Sequence, residues 1–236
     1  MNVLGVITAR AGSKGLPNKN TRPLLGRPVT WYTIEDARQS RRIGRLVVST
    51  NDPAVMDLAR AEGVEVIERP AELATDTARI DGALRHAVET VEADSFLVDV
   101  VVLLYANVPV RAPGVIDRVV DHLLATGADS VATYAPVGKF HPAWMSRIDG
   151  DRVNPFQPNA PYRRQDLAAL FIVDGAATAM RRAALFAPPS GPEDHFAHLG
   201  RDRRGIIQPA EATVDIDAER DLYLAEAILH ARGRDV

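Results

Sequence analysis

The 236-residue chain contains no cysteine. That absence excludes disulfides, thiolate metal sites and cysteine nucleophiles. It has no apolar run approaching the roughly 20 residues that span a bilayer. Its first residues enter a strand pattern directly, without a basic stretch and apolar leader, so the expected compartment is the cytoplasm. Strong net charge is missing too. A formal charge of −3 exerts no global pull on nucleic acid or a membrane. Any anion site must therefore be local, which suits a small phosphate-bearing ligand. Lysine is nearly absent: Lys14, Lys19 and Lys139 are the only three, and two of them share one glycine-containing stretch.

What is present reads as an ordinary globular chain, 46% apolar and 25% charged. The length suits one α/β domain, or one carrying a small insertion. Short apolar runs alternate with amphipathic segments. Strands are expected at Val3–Thr8 and over 46–49, 64–67, 98–104 and 130–134. Helices are expected over 28–39, 53–62, 80–91 and 113–125. Pro53 after Asp52 is an N-terminal helix signal, and Gly127 is a C-terminal one. Near-continuous apolar strands separated by such helices predict a Rossmann-like, mostly parallel sheet covered on both faces.

From about 136 to 172 the pattern breaks. Prolines 136, 142, 155, 158 and 161 crowd together with Phe140, Trp144, Phe156 and Tyr162 between them. This reads as an irregular insertion within a single domain of 1–236. The stretch Pro188-Pro189-Ser190-Gly191-Pro192 reads as a surface loop. Beyond it, a strand over 206–208, an extended segment over 214–217 and a helix over 218–231 complete the pattern.

The chemistry concentrates after the first strand. Thr8-Ala9-Arg10-Ala11-Gly12-Ser13-Lys14-Gly15-Leu16-Pro17-Asn18-Lys19-Asn20 combines glycines with three cations. Glycine lets backbone N–H groups approach an anion, and the cations neutralise it. In an open α/β sheet, ligands bind at the carboxyl ends of strands, where this loop belongs. It is not a Walker A motif, because Gly15 follows Lys14. Nor is it a GxGxxG fingerprint, because Gly12 and Gly15 lack a third partner. The plainer alternative is a solvated basic loop.

A second constellation lies near the C-terminus. Asp215 and Asp217 are two apart on an extended segment, so both carboxylates point to one side. Such a pair suits Mg2+, a hard cation that takes oxygen ligands and completes its shell with water and phosphate. The competing role for Asp217 is an N-cap for the following helix. The histidines carry less: His195 and His198 lie beside Glu193 and Asp194 but lack a firm third ligand, and read as a surface loop. His141, before Pro142, reads either as facing a substrate or as a turn residue.

The first loop resembles the signature of the CMP-sialic acid synthetases (acylneuraminate cytidylyltransferases): Ala-Arg, two residues, Ser-Lys-Gly, one residue, Pro, one residue, Lys-Asn. Every named position is present. Val47-Val48-Ser49-Thr50-Asn51-Asp52 and Arg69-Pro70-Ala71-Glu72-Leu73-Ala74-Thr75-Asp76-Thr77 resemble the next family segments in order. Arg163-Arg164-Gln165-Asp166-Leu167 resembles the segment facing the sugar acid, and Val214-Asp215-Ile216-Asp217 the metal-binding stretch. The resemblance implies a Mg2+-dependent cytidylyltransferase that joins CMP from CTP to a small acid. It implies Ala9, Arg10, Gly12, Ser13, Lys14, Gly15, Lys19, Asn20, Arg69 and Asp76 at the nucleotide. Arg10, Lys14, Lys19 and Asp217 would be catalytic. Tyr105, Asn107, Arg164, Gln165 and Asp174 would face the acceptor, and Asp215 with Asp217 would hold the metal. The insertion resembles the family's dimerisation region, so a homodimer is expected.

The chain departs from the family where the base and acceptor pockets belong. Leu-Gln-Pro-Thr-Ser-Pro-Leu-Arg becomes Leu104-Tyr105-Ala106-Asn107-Val108-Pro109-Val110-Arg111. Asp-Thr-Ala-Ser-Ser becomes Asp76-Thr77-Ala78-Arg79-Ile80, and Asn-Gly-Ala-Ile-Tyr becomes Asp174-Gly175-Ala176-Ala177-Thr178. Losing polar contacts changes which ligand a pocket tolerates. The open alternatives are a same-fold transferase using another acid, such as a phosphonate or sugar phosphate, or another triphosphate. A non-catalytic nucleotide-binding homologue is a third reading.

Overall fold

The computed structural model describes residues 1–158, 161, 163–189, 191 and 194–234. Tyr162, Ser190, Pro192 and Glu193, invoked above, lie outside the described residues. The strands are β1 (Val3–Thr8), β2 (Pro23–Leu24), β3 (Arg27–Pro28), β4 (Arg45–Thr50), β5 (Glu65–Glu68), β6 (Val100–Tyr105), β7 (Ser130–Pro136), β8 (Ser146–Asp149), β9 (Arg152–Pro155), β10 (Phe171–Arg181) and β11 (Arg203–Ile207). The helices are α1 (Val29–Arg38), α2 (Pro53–Ala61), α3 (Ile80–Ala93), α4 (Val115–Thr126), α5 (Arg182–Leu185) and α6 (Glu219–Ala231).

Seven strands form one sheet in the order β11-β7-β10-β6-β1-β4-β5. All neighbouring pairs run parallel except the two made by β10, which is antiparallel to β6 and to β7. The expected mostly parallel sheet is therefore correct, with β10 as an insertion the periodicity did not reveal. Its Gly175-Ala176-Ala177-Thr178-Ala179 core has little intrinsic strand preference. Burial between two strands overrides that preference: Ala176 through Met180 are all buried.

Alternation along β1 sends Leu4 and Val6 to one face and Val3 and Ile7 to the other. The first pair packs with Leu84, Val88 and Val91 of α3 and Leu185 of α5. The second pair packs with Ile34 of α1, Val55 of α2 and Val119 and Leu123 of α4. The helix signals act as expected. The Asp52 carboxylate accepts from Ala54 N–H at 3.0 Å, with Pro53 following it. Gly127 closes α4 in the left-handed region at φ 71°.

Two local expectations change. Asp217 does not cap α6. Asp221, at the third helical position, accepts from the amides of Asp217 and Ala218 at 2.9 and 2.8 Å, half of a capping box. The insertion is less irregular than its prolines imply, because β8 and β9 pair as an antiparallel hairpin within it.

A third apolar cluster positions the site. Leu16 of the first loop, Val29 and Tyr32 of α1, Val214 and Ile216, and Leu222, Ala225 and Leu229 of α6 bury one another. Ile216, fully buried between the two aspartates, anchors the acidic segment against the same mass that holds the loop. Two stretches almost 200 residues apart in sequence thus become neighbours through ordinary hydrophobic burial.

Candidate active site

The loop after β1 opens a cleft of about 390 Å³ at the carboxyl ends of β1 and β6. Gly12, at φ 77°, and Asn18, at φ 55°, turn the chain where most side chains would be strained. Ala11 N–H donates to the Asn51 side chain at 2.9 Å. The Asn20 amide donates to Arg10 O at 3.4 Å, and Asn20 O accepts from Thr30 N–H and Oγ1 at 2.9 and 2.8 Å. These bonds pin both ends of the loop and leave its cations on the cleft.

The cations are not idle. Arg10 Nη1 and Lys14 Nζ bind the two oxygens of Asp76 at 2.7 and 2.5 Å. Lys14 first, and Arg10 next, hold that carboxyl below its ordinary range. Lys19 Nζ lies 2.6 Å from Asp217 Oδ1. On the other side of the loop, a Cβ on Gly15 would lie 2.9 Å from Asp217 O. Glycine is needed at position 15 because the loop touches the backbone of the acidic segment there. Arg22 and Glu219 add a two-bond ion pair at 3.0 and 2.8 Å between the loop's end and α6.

Asp215 sits beside this contact. Asn107 Nδ2 donates to Asp215 Oδ1 and, at 3.2 Å, to Ile216 O. Ile216 N–H returns to Asn107 O at 2.8 Å. Part of Asp215 is open to solvent, yet its carboxylate lies deep enough that burial, then the neighbouring charge of Asp217, pushes it up to about 6. Two close carboxylates in a partly desolvated corner want a cation. In this structure Lys19 supplies part of that need.

Arg69 lines the cleft but is 5% exposed. It donates to Ser49 Oγ at 3.2 Å and Ser49 O at 2.7 Å. Burial, then the charge of Arg10, lowers it to about 10, so it remains a cation at neutral pH.

Of the residues singled out from the sequence, Ala9, Arg10, Ser13, Lys14, Gly15, Lys19, Asn20, Arg69, Tyr105, Asn107 and Asp217 line the cleft. Gly12 shapes the loop, Asp76 is its counter-ion and Asp215 is bonded by the cleft residue Asn107. Three acceptor-side expectations are not brought to the cleft. Arg164 and Gln165 lie exposed on a short turn of the insertion. Asp174 is consumed internally: its carboxylate accepts from Thr133 Oγ1, Ala176 N–H, Gln208 Nε2 and Thr213 Oγ1. His141 behaves as a turn residue, with Nδ1 accepting from Ala143 N–H at 3.1 Å. His198 corrects the surface-loop reading, because it is 6% exposed and burial lowers its imidazole.

Arg79, Thr75 and Ile80 also line the cleft and are not among the site residues the resemblance implies. The departure at Asp76-Thr77-Ala78-Arg79-Ile80 was the signal for Arg79 and Ile80, and Thr75 lies in the preceding family segment. Arg111 matches the closing arginine of the family's Leu-Gln-Pro-Thr-Ser-Pro-Leu-Arg stretch. It is 3% exposed and gathers the 105–111 loop by donating to Tyr105 O, Val108 O, Thr33 Oγ1 and Ala176 O.

A loop of cations in contact with an acidic segment at a strand-end cleft suits a nucleotidyltransferase. The cytidylyltransferase family profile matches residues 4–192, and the chain belongs to that family. It is 30% identical to the CMP-N,N'-diacetyllegionaminic acid synthase of Legionella pneumophila, over 97% of both chains. It is also 30% identical to the N-acylneuraminate cytidylyltransferase of Streptococcus agalactiae serotype V, over 75% of this chain but only 42% of that longer protein. Among solved structures, a CMP:2-keto-3-deoxy-manno-octonic acid synthetase complexed with CTP superposes with a TM-score of 0.74 at 20% identity. The match covers 98% of this chain and 100% of that one.

Proposed function

We propose that this cytidylyltransferase joins CMP from CTP to a hydroxyl of a small sugar acid of the nonulosonic class and releases pyrophosphate. The observation that carries the reading is the Lys19–Asp217 ion pair at 2.6 Å, with Gly15 against Asp217 O. It brings the cation-bearing glycine loop and the acidic segment together at one cleft, which supports phosphate binding by the loop. Arg10, Lys14 and Lys19 would exchange their carboxylate partners for phosphate oxygens and offset the charge that grows on the leaving pyrophosphate. The acceptor oxygen would form a bond to the α-phosphorus as the bond from that phosphorus to the β-phosphate bridge breaks. Holding both reactants in line supplies much of the rate.

The donor set fits Mg2+. Asp215 and Asp217 offer hard oxygen ligands, and burial, then the charge of Asp217, raises the Asp215 carboxyl, which a bound cation would offset. These two residues would hold the ion, which when bound neutralises phosphate charge. The exposed apolar residues Ile148, Val153, Phe171, Ile172 and Val173 on β8, β9 and the start of β10 favour a homodimer formed through the insertion.

The test is pyrophosphate release with each of the four ribonucleoside triphosphates and a panel of sugar acids, with and without a chelator. Chelator-sensitive release with CTP and one of the acids is expected. Release with another triphosphate, or with a sugar phosphate or phosphonate only, would favour the second reading. The altered 104–111 segment and the internally bonded Asp174 are what keep that reading in view.

A further inference from the structure

Two backbone segments run side by side at the cleft, residues 105–111 and 211–217. The first carries Tyr105 and Asn107, the second Asp215 and Asp217. Val214 N–H donates to Val110 O at 3.3 Å, and Ile216 N–H to Asn107 O at 2.8 Å. Asn107 Nδ2 returns to Asp215 Oδ1 and Ile216 O. Two backbone bonds are a thin join for segments that must hold reacting groups in register.

The helix α6 reinforces that join. Its 13 residues span about 20 Å, and the segment 211–217 reaches at most about 20 Å. The helix is thus long enough to return along the whole segment, and it bonds to both ends of it. At its start, Asp221 accepts from the amides of Asp217 and Ala218. At its finish stands Arg232, the first residue beyond the helix. Arg232 N–H donates to Ile228 O and Leu229 O at 3.1 Å each. Leu229 is fully buried in the third apolar cluster, so this end of the helix is anchored.

The Arg232 side chain then makes a bridge. Its Nη1 donates to Arg111 O at 2.8 Å and its Nη2 to Glu211 O at 3.3 Å. Those carbonyls belong to the last residue of one segment and the first residue of the other. A planar fork on two acceptors fixes their separation, whereas a lysine ammonium is a point charge on a flexible stem. Arg232 does not line the cleft. It borders a separate concavity with Asp36, Gln39 and Arg234. Its reach into the site runs through Arg111, which gathers the first segment by donating to Tyr105 O and Val108 O.

We infer that Arg232 is a positioning residue for the reaction: it staples residues 105–111 to residues 211–217 and so fixes where Asn107 meets Asp215. Its kinetic consequence rests on the proposed reaction, and its structural consequence on the fold alone.

The test compares wild type with Arg232→Gln and Arg232→Lys, with Arg234→Gln as control. Arg234 belongs to the same chain end, but its guanidinium bonds Asp36 and lies over the Tyr32 ring, both on α1. Pyrophosphate release is measured with CTP and the sugar acid the wild type uses. In Arg232→Gln, kcat should fall about tenfold while the KM for CTP stays within about twofold, because the two segments shift and the loop after β1 does not. Amide hydrogen exchange at Val214 and Ile216 should quicken about tenfold, with the amides of β1 unchanged. Arg232→Lys should fall between, and Arg234→Gln should move kcat and the two amides by less than about twofold. Unchanged kcat, or unchanged exchange at both amides, in Arg232→Gln would overturn the inference. A CTP KM that rises as far as kcat falls would overturn it too, because the cleft has then loosened as a whole. Equal losses in Arg234→Gln would make both arginines general supports of the chain end and overturn it likewise. If Arg232→Gln does not unfold cooperatively in urea, Arg232→Lys decides by the same criteria. A wild type that releases no pyrophosphate with any acid removes the proposed reaction, and the exchange rates alone then decide on the staple.

Discussion

Arg111 shows how much of this site depends on groups that never touch a ligand. It is a charge removed from water, and burial lowers it to about 10 while leaving it protonated at neutral pH. Its guanidinium bonds four oxygens, and Asp36 lies 3.7 Å away. Removing it strands those acceptors and leaves Asp36 with less compensation. Arg111→Ala is expected to destabilise the fold by about 3–5 kcal/mol, read from urea unfolding. Lys19 has the opposite character: it lines the cleft, and its ion pair is with the exposed Asp217. Lys19→Ala should leave the urea midpoint nearly unchanged and lower kcat by about 10²–10³, the range for one preorganised charge-stabilising group. At this scale the cleft's loop side was legible in the sequence, because scarce lysines and glycines in a strand-end loop have few structural uses. Asp174 was misleading: a carboxylate in a glycine turn looks like a ligand group until Thr133, Gln208 and Thr213 are seen to claim it.

The elements turn these residues into a clamp. The loop after β1 and the segment before α6 are joined by Leu16 and Ile216 in one apolar cluster, by Arg22–Glu219 and by the contact at Gly15. Gly15→Ala puts a Cβ 2.9 Å from Asp217 O, so one of the two segments must move. The expected result is a CTP KM raised about tenfold or more with a melting temperature shifted by only a few degrees, a split that calorimetry and kinetics together resolve. Asp221→Ala should act on the other segment. It frees the amides of Asp217 and Ala218 and is expected to cost about 1 kcal/mol of stability. Among the elements, strands and helices with clear apolar periodicity were readable from sequence. β10 was not, because alanines and a glycine gain strand structure only from the neighbours β6 and β7 that bury them. The pairing of loop and acidic segment was equally invisible as geometry, since hydrophobic contacts across about 200 residues leave no local periodicity.

At the scale of the whole molecule, the sheet sets the site and the insertion sets the surface. No helix among the described residues is long and apolar enough to cross a membrane. Apolar side chains are exposed on β8, β9 and the start of β10, and the proposed homodimer would cover them. Ile172, 60% exposed, is the natural probe. Ile172→Glu should convert a dimer to a monomer in sedimentation, whereas a wild type that sediments as a monomer at micromolar concentration would remove the homodimer. The reaction itself is most directly tested by following the α-phosphate. CTP labelled at that phosphorus is incubated with the protein, Mg2+ and a sugar acid, and the products are separated. The account predicts label in a new CMP-linked acid together with unlabelled pyrophosphate, and loss of that product in Asp217→Ala. Label that stays in CTP with every acid tested, or a product formed equally well by Asp217→Ala, would contradict it.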